Sequence, residues 1–319
     1  MAVPAVAVLD DYQNAARRFG PWERLDRRIA LEVFTDHLDG EDALVNRLSN
    51  FDVIVAMRER TPLSAALLAR LERLRLIVTT GMGNAAIDVD AAREHGVVVS
   101  GTQVGGTATA ELTWGLVLAL TRHIAQEDAN IRAGGWQQTI GPELSGRTLG
   151  LVGLGVLGTR VAAYGAAFGM RLIAWSQNLD TQHARSAGVE AVEKDALFAR
   201  SDVVSIHLRL SERTRRVVGA RELALMKPTA FLVNTSRGPI VDEAALIEAL
   251  EHDRIAGAAL DVFDHEPLSP GHRLVRAKNT LLTPHLGYVA VDAYEVFYRE
   301  IVEDIEAWLD GNPIRLLGG

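Results

Sequence analysis

The chain has 319 residues, of which 48% are hydrophobic and 23% charged, so it can bury a large core and form two domains. A net charge of −8 argues against a nucleic-acid partner, because such proteins need a basic face. The absence of cysteine excludes disulfides and thiolate chemistry and predicts a reducing compartment, the cytoplasm. Secretion and membrane insertion are not predicted, since neither a signal-peptide pattern nor an apolar run of about 18 residues is present.

Short apolar runs alternate with amphipathic stretches along the chain, a pattern typical of βαβ units and parallel sheets. In the first third the predicted strands are residues 3–9, 53–57, 76–79 and 97–99, with a helix over 64–74. A long apolar helix is predicted over 108–120, and we place a domain junction along it. The first third is therefore predicted to be a small α/β domain.

A second α/β series begins at residue 148 and suits a full doubly wound sheet. Its strands are predicted near Leu149, Leu172, Val203, Phe231, Ala258 and Leu281. After His285, apolar residues recur at spacings of three and four, which defines one face of a helix. These residues are Val291, Tyr294, Phe297, Ile301, Ile305 and Trp308. We expect this last helix to return and pack on the first domain.

Three glycines, Gly153, Gly155 and Gly158, form the pattern G-x-G-x-x-G between an apolar strand and a helical run. The first permits a tight turn, the second lets the backbone approach a pyrophosphate, and the third lets helix and strand pack closely. The pattern predicts a dinucleotide site; the alternative is glycines that serve only strand-to-helix packing. Because the site lies in mid-chain, the preceding half must supply something else, such as substrate contacts.

Three further stretches lie at the ends of predicted strands, where open α/β sheets bind ligands: NTSRGPIVDE (234–243), ALDVFDHEP (259–267) and LTPHLGY (282–288). Taken alone, Arg237 could be a solvated turn residue, Glu266 a loop carboxylate and His285 a structural histidine. Together they supply a guanidinium fork, a carboxylate and an imidazole that the carboxylate can orient. That is the minimum equipment for reducing a 2-keto acid.

The motifs GLGVLG, NTSRG, DVFDHEP and TPH resemble, in content and order, those of the D-isomer-specific 2-hydroxyacid dehydrogenases. This family includes D-phosphoglycerate dehydrogenase, hydroxypyruvate and glyoxylate reductases and formate dehydrogenase. The resemblance covers nearly the whole chain. It implies an α/β fold of two doubly wound parallel-sheet domains, in which a Rossmann NAD(P)-binding domain (104–286) is inserted into a flavodoxin-like substrate domain (1–103 and 287–319). It also implies interconversion of a small 2-keto acid and a D-2-hydroxy acid, commonly by a homodimer.

The resemblance further implies roles for single residues. Arg237 would hold the substrate carboxylate and carbonyl, His285 paired with Glu266 would give or take the hydroxyl proton, and Asp261 would hold the nicotinamide carboxamide. The residues predicted to bind substrate are Arg58, Gly81, Met82, Gly83, Asn84, Arg237 and His285, with the loop 80–84 presenting N–H groups to the substrate carboxylate. Those predicted to bind the cofactor are Gly153, Gly155, Val156, Leu157, Gly158, Ser176, Gln177, Asn178, His207, Leu208, Arg209, Thr235, Ser236, Arg237, Asp261, His285 and Gly287.

The chain departs from the family pattern at two places. Relatives often have G-x-G-x-D-N-I-D where this chain has GMGNAAID (81–88), so Ala85 and Ala86 replace a polar pair. Relatives usually have His-x-Pro-Leu where this chain has HLRL (207–210). Arg209 therefore adds a cation beside the expected adenosine pocket.

Ser176 bears on the choice of cofactor. It stands 18 positions after Gly158, where an NAD enzyme usually places Asp or Glu against the ribose 2′-hydroxyl. Serine does not repel the 2′-phosphate of NADP, which carries close to two negative charges. We predict use of both cofactors with a mild preference for NADP, with Arg209 as the first candidate for the cation and Arg185 as the second. The alternative is that serine merely weakens NAD binding.

Other functions have less support in the sequence. A nucleotide-sensing corepressor on the same fold is the main rival, and turnover of a 2-keto acid would discriminate against it. No histidine spacing indicates a metal site, and Ser236 lacks the G-x-S-x-G context of a hydrolase nucleophile. Glyoxylate, hydroxypyruvate and larger keto acids all remain candidate substrates.

Overall fold

The structure is a computed structural model that describes residues 3–103 and 106–318. Its strands are β1 (Ala5–Val8), β2 (Ala30–Val33), β3 (Val53–Ala56), β4 (Leu76–Thr79), β5 (Val98–Gly101), β6 (Thr148–Val152), β7 (Arg171–Trp175), β8 (Glu190–Ala191), β9 (Val203–Ile206), β10 (Phe231–Asn234), β11 (Gly257–Leu260) and β12 (Thr280–Leu282). Its α-helices are α1 (Ala16–Phe19), α2 (Glu41–Leu48), α3 (Ala65–Leu68), α4 (Val89–Glu94), α5 (Ala108–Thr121), α6 (Ile124–Arg132), α7 (Val156–Ala167), α8 (Thr181–Ser186), α9 (Lys194–Arg200), α10 (Ala220–Leu225), α11 (Glu243–Glu251), α12 (Arg273–Arg276) and α13 (Val291–Leu309).

The chain divides into two compact units. Unit 1 comprises Met1–Gly106 with Ala290–Gly319, and unit 2 comprises Thr107–Val289. The predicted domain limits, after residues 103 and 286, lie a few residues before these boundaries. The first boundary precedes α5, so this helix lies wholly in unit 2 and does not contain the junction predicted along it.

Unit 1 contains a parallel five-stranded sheet in the order β2-β1-β3-β4-β5. This is the flavodoxin-like strand order, so the predicted fold of this part is confirmed. Strand β2 was not predicted, because its residues form a half-exposed edge strand and include the charged Glu32 rather than a continuous apolar run. The central strands β3 and β4 are buried along their whole length, as expected for a parallel sheet.

The helix predicted over residues 64–74 is shorter in the structure. Ser64 caps α3 by accepting a hydrogen bond from the N–H of Leu67 at 3.2 Å, and α3 ends at Leu68. The chain then continues in turns, in which the N–H of Leu71 donates to Leu68 and that of Leu74 to Leu71. Leu71 and Leu74 are nevertheless buried. The apolar spacing therefore marks the buried positions correctly, although two of the four, Leu71 and Leu74, lie beyond the helix.

Helix α13 belongs to unit 1, where it packs on β4, β5 and α1, as expected. Its buried face includes Phe297, Tyr298, Ile301 and Ile305. The segment after it pairs with β5, since the N–H of Leu317 donates to Val99 at 2.8 Å. The two ends of the chain thus build one unit.

Unit 2 contains a parallel seven-stranded sheet in the order β12-β11-β10-β9-β6-β7-β8. The six predicted strands are present, and the missed β8 is a two-residue edge strand. One apolar cluster packs around α9, α10 and α11 and another around α5 and α7, so helices supply two cores to the sheet. The strand order reverses between β6 and β9, and in doubly wound sheets ligands bind beyond the strand ends at such a point.

Within the described residues, no helix has the length and apolar character that a membrane span requires.

Candidate active site

The glycine turn of unit 2 joins β6 to α7. Gly153 has a φ of +101°, and a side chain there would also meet the backbone of His207 at 2.8 Å. A Cβ at Gly158 would lie 2.3 Å from the carbonyl oxygen of Gly153, so helix and turn approach too closely for any other residue. A Cβ at Gly155 would meet no atom within 4 Å. The turn therefore leaves open space above the N-terminus of α7, where a pyrophosphate fits and backbone N–H groups point at it. Val156 and Leu157 form the first turn of that helix.

A pocket of about 150 Å³ lies beyond the end of β7. One wall consists of Trp175, Ser176, Gln177 and Asn178, and the other of Leu208, Arg213, Thr214 and Val217. The structure thus brings the predicted Ser176, Gln177, Asn178 and Leu208 together. Arg209, predicted to supply the cation here, is not among the described residues that line the pocket, and neither is Arg185. Arg213 was not predicted to lie here, because no motif distinguishes it from its neighbouring arginines.

His207 follows β9 and lies beside the glycine turn, with its Cβ 3.5 Å from the position that a Cβ at Gly158 would take. Its Nε2 lies 2.9 Å from the hydroxyl of Ser205. Burial lowers the pKa of His207 to about 4, so its imidazole is neutral at neutral pH. A neutral ring leaves the anion-binding character of this turn to backbone dipoles rather than to a cation.

The loop after β10 carries Thr235, Ser236 and Arg237. The hydroxyl of Thr235 lies 2.7 Å from that of Thr113 on α5, and the hydroxyl of Ser236 donates to the carbonyl of Ile206 at 2.8 Å. Arg237 donates from its guanidinium to the carbonyl of Ser236 at 2.7 Å. These bonds join the ends of β9 and β10 and orient the guanidinium.

Asp261 follows β11 and is fully buried. Its carboxylate accepts hydrogen bonds from the hydroxyl of Thr283 at 2.6 Å and from the N–H groups of Leu286 at 2.7 Å and Gly287 at 2.8 Å. Burial raises the pKa of Asp261, and the hydrogen bonds oppose this effect. The carboxylate therefore anchors the segment that carries His285, a role the sequence did not predict. A contact between Asp261 and the nicotinamide carboxamide stays a prediction.

His285 follows β12 in a left-handed backbone conformation, with a φ of +52°. Its Nδ1 lies 2.6 Å from Oε2 of Glu266, and the other oxygen of Glu266 accepts the N–H of Phe263 at 2.9 Å. The ring of Tyr288 packs edge-on against the imidazole, with ring centres 5.3 Å apart. The His285 side chain is 15% exposed, so it is held firmly and remains accessible. Because Nδ1 faces Glu266, Nε2 is the atom that can exchange a proton with a ligand.

In unit 1, Arg58 follows β3, also with a positive φ, of +52°. Its N–H donates to the hydroxyl of Thr80 at 2.9 Å and its guanidinium to the carbonyl of Thr80 at 3.1 Å. The side-chain amide of Asn84 donates to the carbonyl of Arg58 at 2.6 Å and to the hydroxyl of Thr79 at 2.9 Å. Asn84 is buried, so the structure uses this predicted substrate residue to fasten the Arg58 loop to β4.

The predicted carboxylate-binding loop of unit 1 continues through Gly81, Met82 and Gly83. The N–H of Gly81 donates to the hydroxyl of Thr102 at 3.0 Å, so it is occupied within the unit. The predicted contact with a substrate carboxylate therefore falls to the residues after Gly81. The side chain of Met82 is half exposed, and a Cβ at Gly83 would meet nothing within 4 Å.

The groups of unit 2 that could take part in chemistry lie together at one end of its sheet. In unit 2 the glycine turn, the Ser176 pocket, Arg237 and the His285–Glu266 pair all follow the carboxyl ends of parallel strands, which lie at one edge of a sheet. This edge offers an anion site, a guanidinium fork and a proton donor. In the part of the chain that the structure describes, no group of three or more His, Cys, Asp or Glu side chains could hold a metal ion.

Comparisons with known proteins agree with this arrangement. A family model described as D-isomer specific 2-hydroxyacid dehydrogenase, NAD binding domain, matches residues 114–287. The chain is 44% identical over 229 residues to a glyoxylate reductase of Aeropyrum pernix. The matched region covers 69% of this chain and 68% of that protein. It is 37% identical over 278 residues to a D-3-phosphoglycerate dehydrogenase of Synechocystis sp. The matched region covers 86% of this chain and 50% of that protein, so the chain spans about half the length of this relative.

A solved structure agrees as well. The crystal structure of a phosphoglycerate oxidoreductase from Vibrio cholerae is 38% identical, with a TM-score of 0.93, and covers 97% of this chain and 100% of that one. All of these relatives are named as reductases, dehydrogenases or oxidoreductases, which does not favour the rival corepressor function. The family model covers more than half of the chain, and the glycine turn, NTSRG, DVFDHEP and TPH motifs fall within its range. The chain belongs to the D-isomer-specific 2-hydroxyacid dehydrogenases and is a nicotinamide-dependent oxidoreductase of that family.

Proposed function

We propose that the protein interconverts a small 2-keto acid and the corresponding D-2-hydroxy acid. The main support is the pairing of His285 with Glu266 at 2.6 Å, on the same sheet edge as the glycine turn. A nicotinamide dinucleotide fits this edge, because Gly155 leaves room for a pyrophosphate and the Ser176 pocket leaves room for an adenosine ribose. When bound, this cofactor supplies or accepts the hydride.

The side chains of unit 2 divide the remaining tasks. The guanidinium of Arg237 binds the substrate carboxylate and polarises the carbonyl, because its planar fork can donate two parallel hydrogen bonds. In the reducing direction the His285 imidazolium donates its Nε2 proton to the carbonyl oxygen, and the neutral ring then regains a proton from solvent. Glu266 keeps the ring in the orientation and tautomer that this transfer requires. Arg58, Met82, Gly83 and Asn84 of unit 1 stay predicted substrate residues.

A substrate screen tests this function. Purified protein is mixed with NADH or NADPH and a panel of 2-keto acids that includes glyoxylate, hydroxypyruvate and longer homologues, and cofactor oxidation is followed by absorbance. We expect turnover of at least one small 2-keto acid, and chiral chromatography should show the D-hydroxy acid as product. Tight cofactor binding without turnover of any keto acid would instead support a nucleotide-sensing protein.

For the cofactor we propose use of both NADP and NAD, with a mild preference for NADP. The support is that Ser176 occupies the pocket wall beyond β7, where a carboxylate would repel the 2′-phosphate of NADP. Replacing Ser176 with Asp should shift the ratio of kcat/KM values toward NAD by about tenfold, the effect of roughly 1.4 kcal/mol of repulsion. Steady-state kinetics with both cofactors measures the shift.

Ser64→Asp is the matched control for Ser176→Asp. Ser64 is an exposed helix cap, and aspartate caps helices equally well, so this variant adds the same charge without affecting the pocket. An unchanged cofactor ratio in Ser176→Asp, or a wild type that strongly prefers NAD, would contradict the proposal.

We also propose a homodimer, in which a second copy covers the exposed apolar residues of α6 and the segment after it, namely Ile124, Ile131, Trp136 and Ile140. Helix α6 has no buried residue, and Trp136 and Ile140 are 71% and 98% exposed. Exposed apolar patches of this kind mark association sites. Glu127 fixes the segment after α6 by accepting hydrogen bonds from the N–H and hydroxyl of Thr139, both at 2.7 Å. The patch is therefore ordered before association.

Ile140→Asp should convert this dimer to a monomer, because a charge covered by an apolar interface loses its hydration. Analytical ultracentrifugation measures the oligomeric state, and circular dichroism confirms that the variant is folded. Val275→Asp, at another half-exposed apolar residue, should leave the dimer intact. A wild type that sediments as a monomer would refute this proposal.

The cytoplasmic location stays a prediction, supported by the absence of cysteine.

A further inference from the structure

The pocket beyond β7 contains a charged residue with no assigned role. Arg213 lines this pocket opposite Ser176 and Gln177. The side-chain amide of Gln177 donates to the backbone carbonyl of Arg213 at 3.3 Å, so the two walls are joined at this residue. Among the residues of the pocket wall, all of which the structure describes, Arg213 is the only one with a formal charge. The wall contains no carboxylate that would compete with a bound anion for the guanidinium.

The turn that carries Arg213 is held in one conformation by the hydroxyl of Thr214. This hydroxyl donates to the carbonyl of Arg209 at 2.7 Å and accepts the N–H of Ser211 at 2.8 Å. The N–H of Arg215 donates to the carbonyl of Ser211 at 2.9 Å, which closes the turn. The backbone of Arg213 is thus fixed at the pocket, while its exposed side chain can reach a ligand.

We infer that Arg213 is the residue that discriminates NADP from NAD, by binding the 2′-phosphate of NADP together with the hydroxyl of Ser176. The phosphate carries close to two negative charges, and a guanidinium fork donates two hydrogen bonds to it at once. The ribose 2′-hydroxyl of NAD gives the guanidinium no such partner. This inference rests on the proposed function only in requiring a nicotinamide dinucleotide at the glycine turn.

An arginine at this wall could instead pack flat on the adenine ring, as guanidinium groups do on aromatic faces. That contact would strengthen NAD and NADP binding equally, because both contain the same adenine. Phosphate binding would strengthen only NADP, and salt would weaken the effect. The two roles therefore differ in the ratio of the two affinities, not in either affinity alone.

Calorimetric titration of the whole protein with NADP⁺, NAD⁺, adenosine 2′,5′-bisphosphate and AMP tests the inference without any keto acid. Arg213→Ala should weaken binding of the two 2′-phosphorylated probes by about 10- to 100-fold, the usual effect of losing a hydrogen-bonded charge, and change binding of NAD⁺ and AMP by less than about twofold. Arg213→Lys should lie between the two, since it keeps the charge and loses the fork. Arg215→Ala, an exposed arginine of the same turn outside the pocket, is the matched control and should leave all four affinities unchanged.

Three outcomes would overturn the inference. They are an equal loss of NAD⁺ and NADP⁺ affinity in Arg213→Ala, unchanged affinities in that variant, and a selective loss of NADP⁺ affinity in Arg209→Ala but not in Arg213→Ala. Failure of the proposed reaction is detected separately, because absence of keto-acid turnover leaves these binding ratios unaffected.

Discussion

Replacing His285 with alanine should lower kcat by about 10²- to 10⁴-fold, because the variant has no group to donate a proton to the carbonyl oxygen. Cofactor affinity should change little, since the glycine turn and the Ser176 pocket depend on other segments of unit 2. Steady-state kinetics with the best keto acid measures kcat, and calorimetric titration measures cofactor binding.

His252→Ala is the matched control for His285→Ala. His252 is an exposed histidine after α11, where its Nδ1 lies 2.9 Å from the backbone carbonyl of Glu248, so full activity is expected. Glu266→Gln should give a smaller loss than His285→Ala, because it keeps a partner at Nδ1 but removes the carboxylate. Near-normal turnover in His285→Ala would exclude this histidine as the acid and leave the proton transfer to another group.

The change Arg237→Lys should raise the activation free energy of the reduction by about 2 kcal/mol or more, because lysine keeps the charge but loses the planar fork that binds carboxylate and carbonyl together. The loss should appear mainly as a higher KM for the keto acid, with a lower kcat from poorer alignment. Kinetics at saturating cofactor separates the two parameters.

Arg254→Lys controls for the general effect of exchanging arginine for lysine. Arg254 is exposed and pairs with Glu248 at 3.2 Å, so its replacement should leave the kinetics unaltered. Unaffected kinetics in Arg237→Lys as well would reduce Arg237 to a turn residue after β10.

Much of the fold could be predicted because it depends on local rules. A parallel strand buried on both faces needs a mainly apolar sequence, and β3, β4, β6, β9 and β10 have one. The two missed strands, β2 and β8, are edges, where one neighbour and partial exposure suffice and no apolar run is required. The extent of α3 was wrong because turns and helices can bury apolar residues at the same spacing.

The sequence by itself determined the glycine turn, since the spacing of Gly153, Gly155 and Gly158 follows from backbone sterics within six residues. It also determined that Arg237, Glu266 and His285 follow consecutive strands of one sheet, because parallel strands carry their carboxyl ends to the same edge. The resemblance to the family rests largely on these features.

Only the tertiary structure decided the contacts between distant segments. Asn84 is fastened to Arg58, and Asp261 anchors the segment after His285, although both residues resemble ligand-binding groups in the sequence. Arg209 and Arg213 follow the same strand, but of the two it is Arg213 that lines the pocket, where Gln177, 36 residues earlier, donates to its carbonyl. The direction of a side chain on a turn depends on packing against such remote partners, and no spacing rule within the turn contains that information.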